Sequence, residues 1–293
     1  MYIATLMASP ARRDLTAAAV DALRTAWAGG ELRPLDPGIA AEFALEREPA
    51  DLWERWADLQ VQGLDLVVQP AEGRRRRMLL ADMDSTMIGQ ECIDELAAEA
   101  GVGAHVAAIT TRAMNGELDF EGALRERVAL LRGLPATVVL KVLAERIRFT
   151  RGGRKLVATM KANGGYAALV SGGFSAFAEP VAAYLGFDES RANTLNVEDS
   201  HLAGSVALPI LGREAKVQAL QDITARLGIP ESAVLAVGDG ANDLGMLKRA
   251  GAGVALHAKP VVAAQCHLRV NHGDLTALLY LQGYHRDEFV SVP

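Results

Sequence analysis

The chain has 293 residues, of which 50% are hydrophobic and 23% charged, a composition that excludes wholesale disorder. Its 30 lysines and arginines stand against 36 aspartates and glutamates, so the net charge is −6. This acidic balance excludes nonspecific attraction to nucleic acid or to an anionic membrane surface, and we expect neither as a partner. The length slightly exceeds what one hydrophobic core usually supports, which predicts one large domain and one small domain.

The first 73 residues predict a small unit with the element order βαββαβ. Its strands are expected over 2–7, 31–35, 39–45 and 64–69, and its helices over 15–27 and 50–60. Asp14 is the expected N-cap of the first helix. This order suits an α+β unit, with a four-stranded antiparallel sheet and helices on one face. The four arginines that follow, at 74–77, are interpreted as a solvated linker.

From residue 78 onwards, strands alternate with helices. Strands are expected over 78–81, 166–170, 234–237 and 253–256, and helices over 154–162, 174–185, 213–227 and 243–250, with a hairpin over 194–207 and a helical tail after 272. The alternation predicts an α/β fold, a Rossmann-like parallel sheet covered on both faces. The core would comprise 78–88 and 150–293, and a helical stretch over about 89–149 would form a cap inserted after the first core strand.

Polar residues follow three of the predicted core strands. The chain reads Asp-Met-Asp-Ser-Thr over 82–86, Ser-Gly-Gly over 171–173 and Gly-Asp-Gly-Ala-Asn-Asp over 238–243, and Lys216 lies in the first turn of a predicted helix. Since ligands of open parallel sheets bind beyond the carboxyl ends of the strands, these residues are expected to meet in one crevice.

Four aspartates would repel one another in such a crevice, and a divalent cation would offset the repulsion. They are Asp82, Asp84, Asp239 and Asp243. Because the cluster offers oxygen ligands and no histidine or cysteine, it favours Mg²⁺ over Zn²⁺. The six histidines elsewhere show no metal-ligand spacing. Lys216 and the backbone amides of 171–173 suit the binding of phosphoryl oxygens.

These segments resemble, in chain order, the four motifs of the haloacid dehalogenase superfamily of phosphohydrolases. The segments 90–97, 111–120 and 125–128 are further similar to the cap of the phosphoserine phosphatase family. The resemblance covers the chain from about Met78 to its C-terminal helix. It implies hydrolysis of O-phospho-L-serine, a small-molecule substrate, through an aspartyl-phosphate intermediate, the last step of L-serine biosynthesis.

The resemblance also implies a role for each matched residue. Asp82 would be the nucleophile and Asp84 the general acid and base, while Mg²⁺ would be held by the Asp82 and Asp239 carboxylates and the Asp84 main-chain carbonyl. The residues expected to contact the substrate are Glu91 for its ammonium, Arg127 for its carboxylate, and Ser171, Gly172, Lys216 and Asn242 for its phosphoryl group. Supporting positions are Thr86, Met114, Phe120, Gly173 and Asp243. Met114 and Phe120 would form an apolar lid, although ordinary packing within the cap explains them equally well.

Two alternatives remain open for the function. One is a phosphotransferase or phosphatase of the same superfamily that acts on a different small phosphomonoester, since such an enzyme shares the core and differs in the cap. The other is an amino-acid sensor with an inert core, which the intact aspartates at 82 and 84 disfavour.

The N-terminal unit is similar in element order to ACT regulatory domains. Those that bind amino acids usually place a glycine at the first strand–helix turn, and residues 8–14 contain none. This argues against serine binding there and suits a structural or dimerisation role, so a homodimer is left open. With two cysteines, Cys92 and Cys266, no positively charged leader and no apolar run of the ~20 residues that span a membrane, we expect a cytoplasmic protein.

Overall fold

The computed structural model describes residues 1–114 and 118–292, without the side chains of residues 113 and 114. Its strands are β1 Tyr2–Ala8, β2 Leu32–Asp36, β3 Ala40–Leu45, β4 Leu64–Pro70, β5 Met78–Ala81, β6 Tyr166–Phe174, β7 Glu189–Asn193, β8 Leu195–Glu198, β9 His201–Val206, β10 Val234–Gly238, β11 Ala252–Leu256 and β12 Leu268–Val270.

Twelve helices are found in the described ranges. They are α1 Ala17–Ala26, α2 Leu52–Val61, α3 Cys92–Glu99, α4 Gly103–Met114, α5 Phe120–Ala129, α6 Val138–Glu145, α7 Gly153–Ala162, α8 Ser175–Leu185, α9 Arg213–Leu227, α10 Leu244–Arg249, α11 Pro260–Ala263 and α12 Ala277–Leu281. None of these described helices combines the length and the apolar character that crossing a membrane would require.

The N-terminal unit forms a four-stranded antiparallel sheet in the order β2-β3-β1-β4, and its element order is the βαββαβ that the sequence predicts. Leu6, Phe43 and Leu66 belong to the apolar core on one side of this sheet. The predicted N-cap is wrong by two residues. Thr16 caps α1 by accepting a hydrogen bond from the Ala19 N–H at 3.2 Å, because the helix begins at Ala17, and Asp14 is paired with Arg12.

The larger sheet has six strands, all parallel, in the order β12-β11-β10-β5-β6-β7. Successive residues of a strand point to opposite faces, and both faces are apolar here. Met78 and Leu80 of β5 pack in a cluster with residues of α9 and α10, whereas Leu79 and Ala81 belong to the cluster on the opposite face. This double coverage confirms the predicted α/β class.

Three details of the larger unit differ from the predictions, two in its sheet and one in its C-terminal tail. β6 continues to Phe174, so the Ser-Gly-Gly segment lies inside the end of the strand, where its register with β7 shifts, and not in the turn after it. The edge strands β7 and β12 were missed, because β7 carries charged side chains and β12 has only 3 residues. The tail after 272 is only partly helical, since α12 covers 5 residues.

The cap consists of α3 to α6 and joins the core through two neighbouring segments. Ile88 lies in the segment that enters the cap and Phe149 in the segment that leaves it, and the two residues form an antiparallel bridge. Next to this bridge, the Gly89 N–H donates to the Arg148 carbonyl at 2.9 Å. Met114 is the last residue of α4, and its side chain lies outside the described part of the chain, so its expected lid role is not addressed by the structure.

The arginine run after β4 is only partly the solvated linker that the sequence suggested: Arg75 and Arg77 are exposed, whereas Arg74 and Arg76 bind partners in the two units. Arg74 donates to both carboxylate oxygens of buried Glu42 in β3, at 2.7 and 3.2 Å. Arg76 donates to the carbonyls of Ser232 and Gly251 in the core, at 2.5 and 3.0 Å. Charge clustering alone could not distinguish these partners from water, because they come from distant parts of the sequence.

Asp65 of β4, in the N-terminal unit, anchors the loop 271–273 of the core. Its fully buried carboxylate accepts hydrogen bonds from three successive backbone N–H groups, those of Asn271, His272 and Gly273, at 2.8, 3.0 and 2.8 Å. We expect Asp65→Asn to lower the free energy of unfolding by about 2–3 kcal/mol, because the amide removes the charge and turns one acceptor into a donor facing N–H groups. Urea unfolding followed by circular dichroism measures this loss.

The matched control is Asp58→Asn on the exposed side of α2. We expect this change to shift stability by less than about 0.5 kcal/mol, because it removes no buried partner. Equal unfolding midpoints for the two variants would contradict the role given to Asp65.

Candidate active site

A buried ion cluster lies at the carboxyl ends of β5 and β10. The Lys216 ammonium in the first turn of α9 lies 2.6 Å from Asp82 Oδ1 and 2.5 Å from Asp243 Oδ1. All three side chains are almost completely buried. Asp82 follows β5 directly and its N–H donates to the Val237 carbonyl at 3.0 Å, which fixes it beside β10.

The loop after β10 brings Asp239 to the same place. Asp243 Oδ2 accepts the N–H groups of Asp239 and Gly240 at 3.1 and 2.9 Å, and this closes the loop on itself. Gly238 is needed because a Cβ there would lie 2.4 Å from Asp243 Cγ. Thr86 then orients Asp239 by donating to its Oδ1 at 3.1 Å.

Negative charge exceeds positive charge in this cluster. Carboxylate oxygens of Asp82, Asp239 and Asp243 all lie within 4.8 Å of one another, and the Lys216 ammonium pairs with two of them, Asp82 and Asp243. Burial and the Asp243 charge raise the pKa of Asp82 well above its usual range, and the same two causes raise the pKa of Asp239 to about 6. Although burial opposes it, Asp82 and Asp243 raise the pKa of Lys216, so the ammonium stays charged.

The donor set therefore fits a hard divalent cation. Three carboxylates with one ammonium leave two negative charges, which one such ion would neutralise. All the available donors are oxygens, and none of the described residues of the cluster is a histidine or a cysteine, which favours Mg²⁺ over zinc.

Asp84 lies beside this cluster with its two oxygens in different environments. Oδ1 accepts the Cys92 N–H at 3.1 Å, and Oδ2 lies 3.4 Å from the Ser171 hydroxyl. Burial, and secondly the charge of Glu91, raise the pKa of Asp84 to about 6. Gly173 allows this approach, because a Cβ there would lie 2.6 Å from Asp84 Oδ2. Asp84 is thus a carboxyl group that can both donate and accept a proton near neutral pH.

Two groups of opposite charge, Glu91 and Arg127, lie near each other in the cap. Glu91 precedes α3 and its Oε1 accepts the Ser85 hydroxyl at 2.7 Å. Arg127 of α5 is partly buried, and its Nε donates to the Ala123 carbonyl at 3.1 Å. Its terminal nitrogens have no ion-pair partner among the described residues. Burial lowers the pKa of Arg127, while nearby Asp94 and Glu91 oppose that effect.

Phe120 brings the cap onto the core. Its ring lies so close to Gly172 and Gly212 that a Cβ at either glycine would come within 3.1 and 3.2 Å of it. The ring therefore lies over the Ser-Gly-Gly segment and packs against the apolar core, an arrangement that fits both a lid and ordinary packing of the cap. Asn242 lies in the loop after β10, half-buried.

The structure joins Asp82, Asp239, Asp243 and Lys216 in one cluster and places Asp84 and Ser171 beside it. Arg127 is placed near Glu91 in the cap and Asn242 beside Gly240, and neither of them contacts the cluster among the described residues. Sequence reasoning missed Ser85, which orients Glu91, and Cys92, which was interpreted only as a buried thiol. Ser85 adopts a left-handed backbone conformation, with φ of 55°. Its place within the Asp-Met-Asp-Ser-Thr segment was the one available signal, and nothing in the sequence showed that it reaches Glu91.

Comparisons with known proteins agree with this geometry. Residues 79–248 match the family of haloacid dehalogenase-like hydrolases. A phosphoserine phosphatase of Streptomyces coelicolor is 43% identical over 271 residues, which make up 92% of this chain and 62% of the relative. This chain therefore spans less than two-thirds of that relative's length.

Two solved structures extend the similarity to the fold. A HAD family hydrolase from Salmonella enterica serovar Typhi is 31% identical, with a TM-score of 0.86 over 96% of this chain and 98% of that one. A phospho-aspartyl intermediate analogue of phosphoserine phosphatase is 40% identical, with a TM-score of 0.66 over 70% of this chain and 98% of that one. The first similarity includes the N-terminal unit, whereas the second is confined to about the length of the core and cap.

Proposed function

Since the chain belongs to the haloacid dehalogenase-like hydrolases, we propose that it hydrolyses O-phospho-L-serine to L-serine and phosphate through an aspartyl-phosphate intermediate. One observation carries the proposal: an aspartate cluster around Asp82 lies under a cap that presents an anion, Glu91, and a guanidinium, Arg127, whose terminal nitrogens make no ion pair with the described residues. A phosphorylated amino acid has the complementary groups, which are a phosphate, an ammonium and a carboxylate.

In the first step Asp82 attacks phosphorus. A bond forms between an Asp82 carboxylate oxygen and phosphorus, and the ester bond to the serine oxygen breaks. Asp84, protonated at Oδ2, gives its proton to that leaving oxygen. The pKa of about 6 for Asp84 supports this assignment, because burial keeps the proton on the group at higher pH than in water.

In the second step Asp84 acts as a base. It takes a proton from the water that attacks phosphorus, the Asp82–phosphorus bond breaks and inorganic phosphate leaves. Lys216 and the Ser171 hydroxyl, with the backbone amide at Gly172, hold the phosphoryl oxygens through both steps, and the Gly173 N–H supports them by donating to Ser171 Oγ at 2.8 Å. Asn242 and Asp243 support the pocket from the loop after β10, and Thr86 keeps Asp239 in place.

The metal in this proposal is Mg²⁺. The Asp82 and Asp239 carboxylates and the Asp84 main-chain carbonyl would hold it, and when bound it supplies positive charge that offsets repulsion between the carboxylates and the phosphate. The net negative charge of the aspartate cluster supports a divalent cation, and its carboxylate oxygens support Mg²⁺ as that cation.

Substrate selection is assigned to the cap. Glu91, held by Ser85, binds the substrate ammonium, and the two terminal nitrogens of Arg127 bind the carboxylate. Phe120 excludes water from the transfer by covering the segment at Gly172.

The remaining assignments are also proposals. We divide the chain into an ACT-like unit over 1–73 and a phosphatase domain over 74–293, with the cap over about 89–149. The sheet order of the N-terminal unit and the start of the six-stranded sheet at Met78 support this division. A cytoplasmic location is supported by two buried free cysteines.

Phosphate release from O-phospho-L-serine, with Mg²⁺ and after EDTA treatment, tests the function. We expect turnover with Mg²⁺, a loss of more than about 100-fold in EDTA and full recovery on adding Mg²⁺, because the carboxylates otherwise repel the dianionic phosphate. Undiminished turnover in EDTA would exclude the metal assignment. A strong preference for a phosphomonoester that lacks the amino acid moiety would favour the alternative substrate class.

A further inference from the structure

The Ser-Gly-Gly segment bulges out of the end of β6. In the ladder with β7, Val170 pairs with Arg191 and Phe174 pairs with Asn193, so four steps along β6 match two steps along β7. The extra residues take the segment 171–173 out of the regular ladder, and such bulges redirect the side chains that they carry. The backbone groups of this segment therefore need partners outside the ladder.

The side chain of Asn193 supplies one of these partners. Asn193 is the last residue of β7, is 2% exposed and is not among the residues that the sequence predicted for the site. Its Nδ2 donates to the Gly172 carbonyl at 2.9 Å and to the Leu211 carbonyl at 3.1 Å, while its Oδ1 accepts the Leu211 N–H at 2.7 Å. Both hydrogens and the oxygen of this amide are engaged, which leaves it a single orientation.

The two contacts with Leu211 hold Asn193 itself in place. Leu211 lies directly before Gly212, the N-cap of α9, and the chain between Asn193 and Leu211 contains the hairpin β8–β9. These hydrogen bonds therefore close the base of the hairpin. The third hydrogen bond, to the Gly172 carbonyl, is the one that reaches the candidate active site.

The hydrogen bond to Gly172 fixes a peptide group that acts on Ser171. The Gly172 carbonyl and the Gly173 N–H belong to one planar peptide, so the orientation of the first determines that of the second. The Gly173 N–H donates to Ser171 Oγ at 2.8 Å, and the Ser171 hydroxyl lies 3.4 Å from Asp84 Oδ2. Because this N–H occupies a lone pair of Oγ, the hydroxyl hydrogen is left to donate on the side of Asp84.

We propose that Asn193 is a positioning residue for the phosphoryl site. It holds the peptide between Gly172 and Gly173, and that peptide holds the Ser171 hydroxyl in the orientation in which it donates to a phosphoryl oxygen. A carboxylate could not replace the amide, since the carbonyls of Gly172 and Leu211 both require a donor. The inference rests on the proposed function only in that Ser171 binds a phosphoryl group, which every phosphomonoester carries.

Kinetics of Asn193→Ala with phosphoserine and with p-nitrophenyl phosphate, at saturating Mg²⁺, test the proposal. We expect kcat/KM to fall about tenfold or more for both substrates, because a misplaced hydroxyl stabilises the phosphoryl group less. Inorganic phosphate should inhibit the variant about tenfold more weakly, since it uses the same hydroxyl. The matched control is Asn196→Ala in the hairpin, whose amide donates to Ser205 at 2.9 Å, and it should change neither quantity.

A double-mutant cycle separates positioning from stability. In the Ser171→Ala background, adding Asn193→Ala should lower kcat/KM by less than about a further threefold, because the hydroxyl that Asn193 orients is already gone. Asn193→Ser is a milder change that leaves room for a water to satisfy the buried groups, and it replaces Asn193→Ala if that variant does not fold. Melting temperatures identify the folded variants.

Two results would overturn the proposal. One is a folded Asn193 variant that phosphate inhibits as strongly as the wild-type protein, and the other is an undiminished further loss when Asn193→Ala is added to Ser171→Ala. A wild-type preference for a phosphomonoester without an amino acid moiety would contradict the phosphoserine assignment instead. It would leave this test valid, because p-nitrophenyl phosphate reports on the phosphoryl site alone.

Discussion

Replacing Asp82 with asparagine is expected to reduce phosphate release from O-phospho-L-serine by about 10⁴-fold or more, because an amide cannot form the covalent intermediate. The change hardly alters the size of the side chain, and Asp82 is almost completely buried beside Lys216. Rapid-quench assays with ³²P-labelled substrate should show label on the wild-type protein and none on the variant.

Stability provides the control for this variant. The cluster contains three carboxylates and one ammonium, so removing one negative charge relieves repulsion. We therefore expect Asp82→Asn to melt at the same temperature as the wild-type protein or higher in EDTA. An inactive variant that is also unfolded would not support the nucleophile role, and wild-type activity in the folded variant would exclude it.

Replacing Arg127 with methionine is expected to reduce activity on phosphoserine much more than activity on p-nitrophenyl phosphate. For phosphoserine, kcat/KM should fall about 100-fold, because two charge-assisted hydrogen bonds to the substrate carboxylate are lost. For p-nitrophenyl phosphate, which has no carboxylate, the change should be less than about threefold. Steady-state kinetics with both substrates measure the difference.

Arg125→Met is the matched control for Arg127. Both arginines lie on α5, but Arg125 is exposed and pairs with Glu121 one turn away. We expect this control to leave both substrates unaffected, since exposed pairs of this kind contribute little. If Arg127→Met lowers kcat/KM equally for the two substrates, Arg127 does not bind the substrate carboxylate and is a structural residue of the cap.

The candidate site was largely predictable because its residues occur in short segments at strand ends. The alternation of strands and helices predicts a parallel sheet, and parallel strands bring their carboxyl ends to one edge. Asp82, Asp239 and Lys216 could therefore be expected to meet without knowledge of any contact. The strand ends were less predictable. β6 continues through Ser171, since glycine and serine are compatible with extended backbone although they usually indicate a turn.

Contacts between distant segments could not be predicted. The sequence predicts Arg74 and Arg76 as solvent-exposed charges. In the structure, Arg74 binds Glu42, more than 30 residues away, and Arg76 binds a core carbonyl more than 150 residues away. A charged side chain has the same local pattern whether its partner is water or a buried carboxylate, so neither periodicity nor composition distinguishes the two.

The amino-acid sequence by itself determined the α/β class, the inserted helical cap and the chemical identity of the aspartate cluster with Lys216. These properties depend on local pattern, residue type and order along the chain. Only the tertiary structure decided that Asp82 and Asp243 share the Lys216 ammonium, that Ser85 donates to Glu91 and that Arg127 keeps its terminal nitrogens free of ion pairs among the described residues. Such arrangements depend on distances and burial, which arise when segments far apart in the sequence pack together.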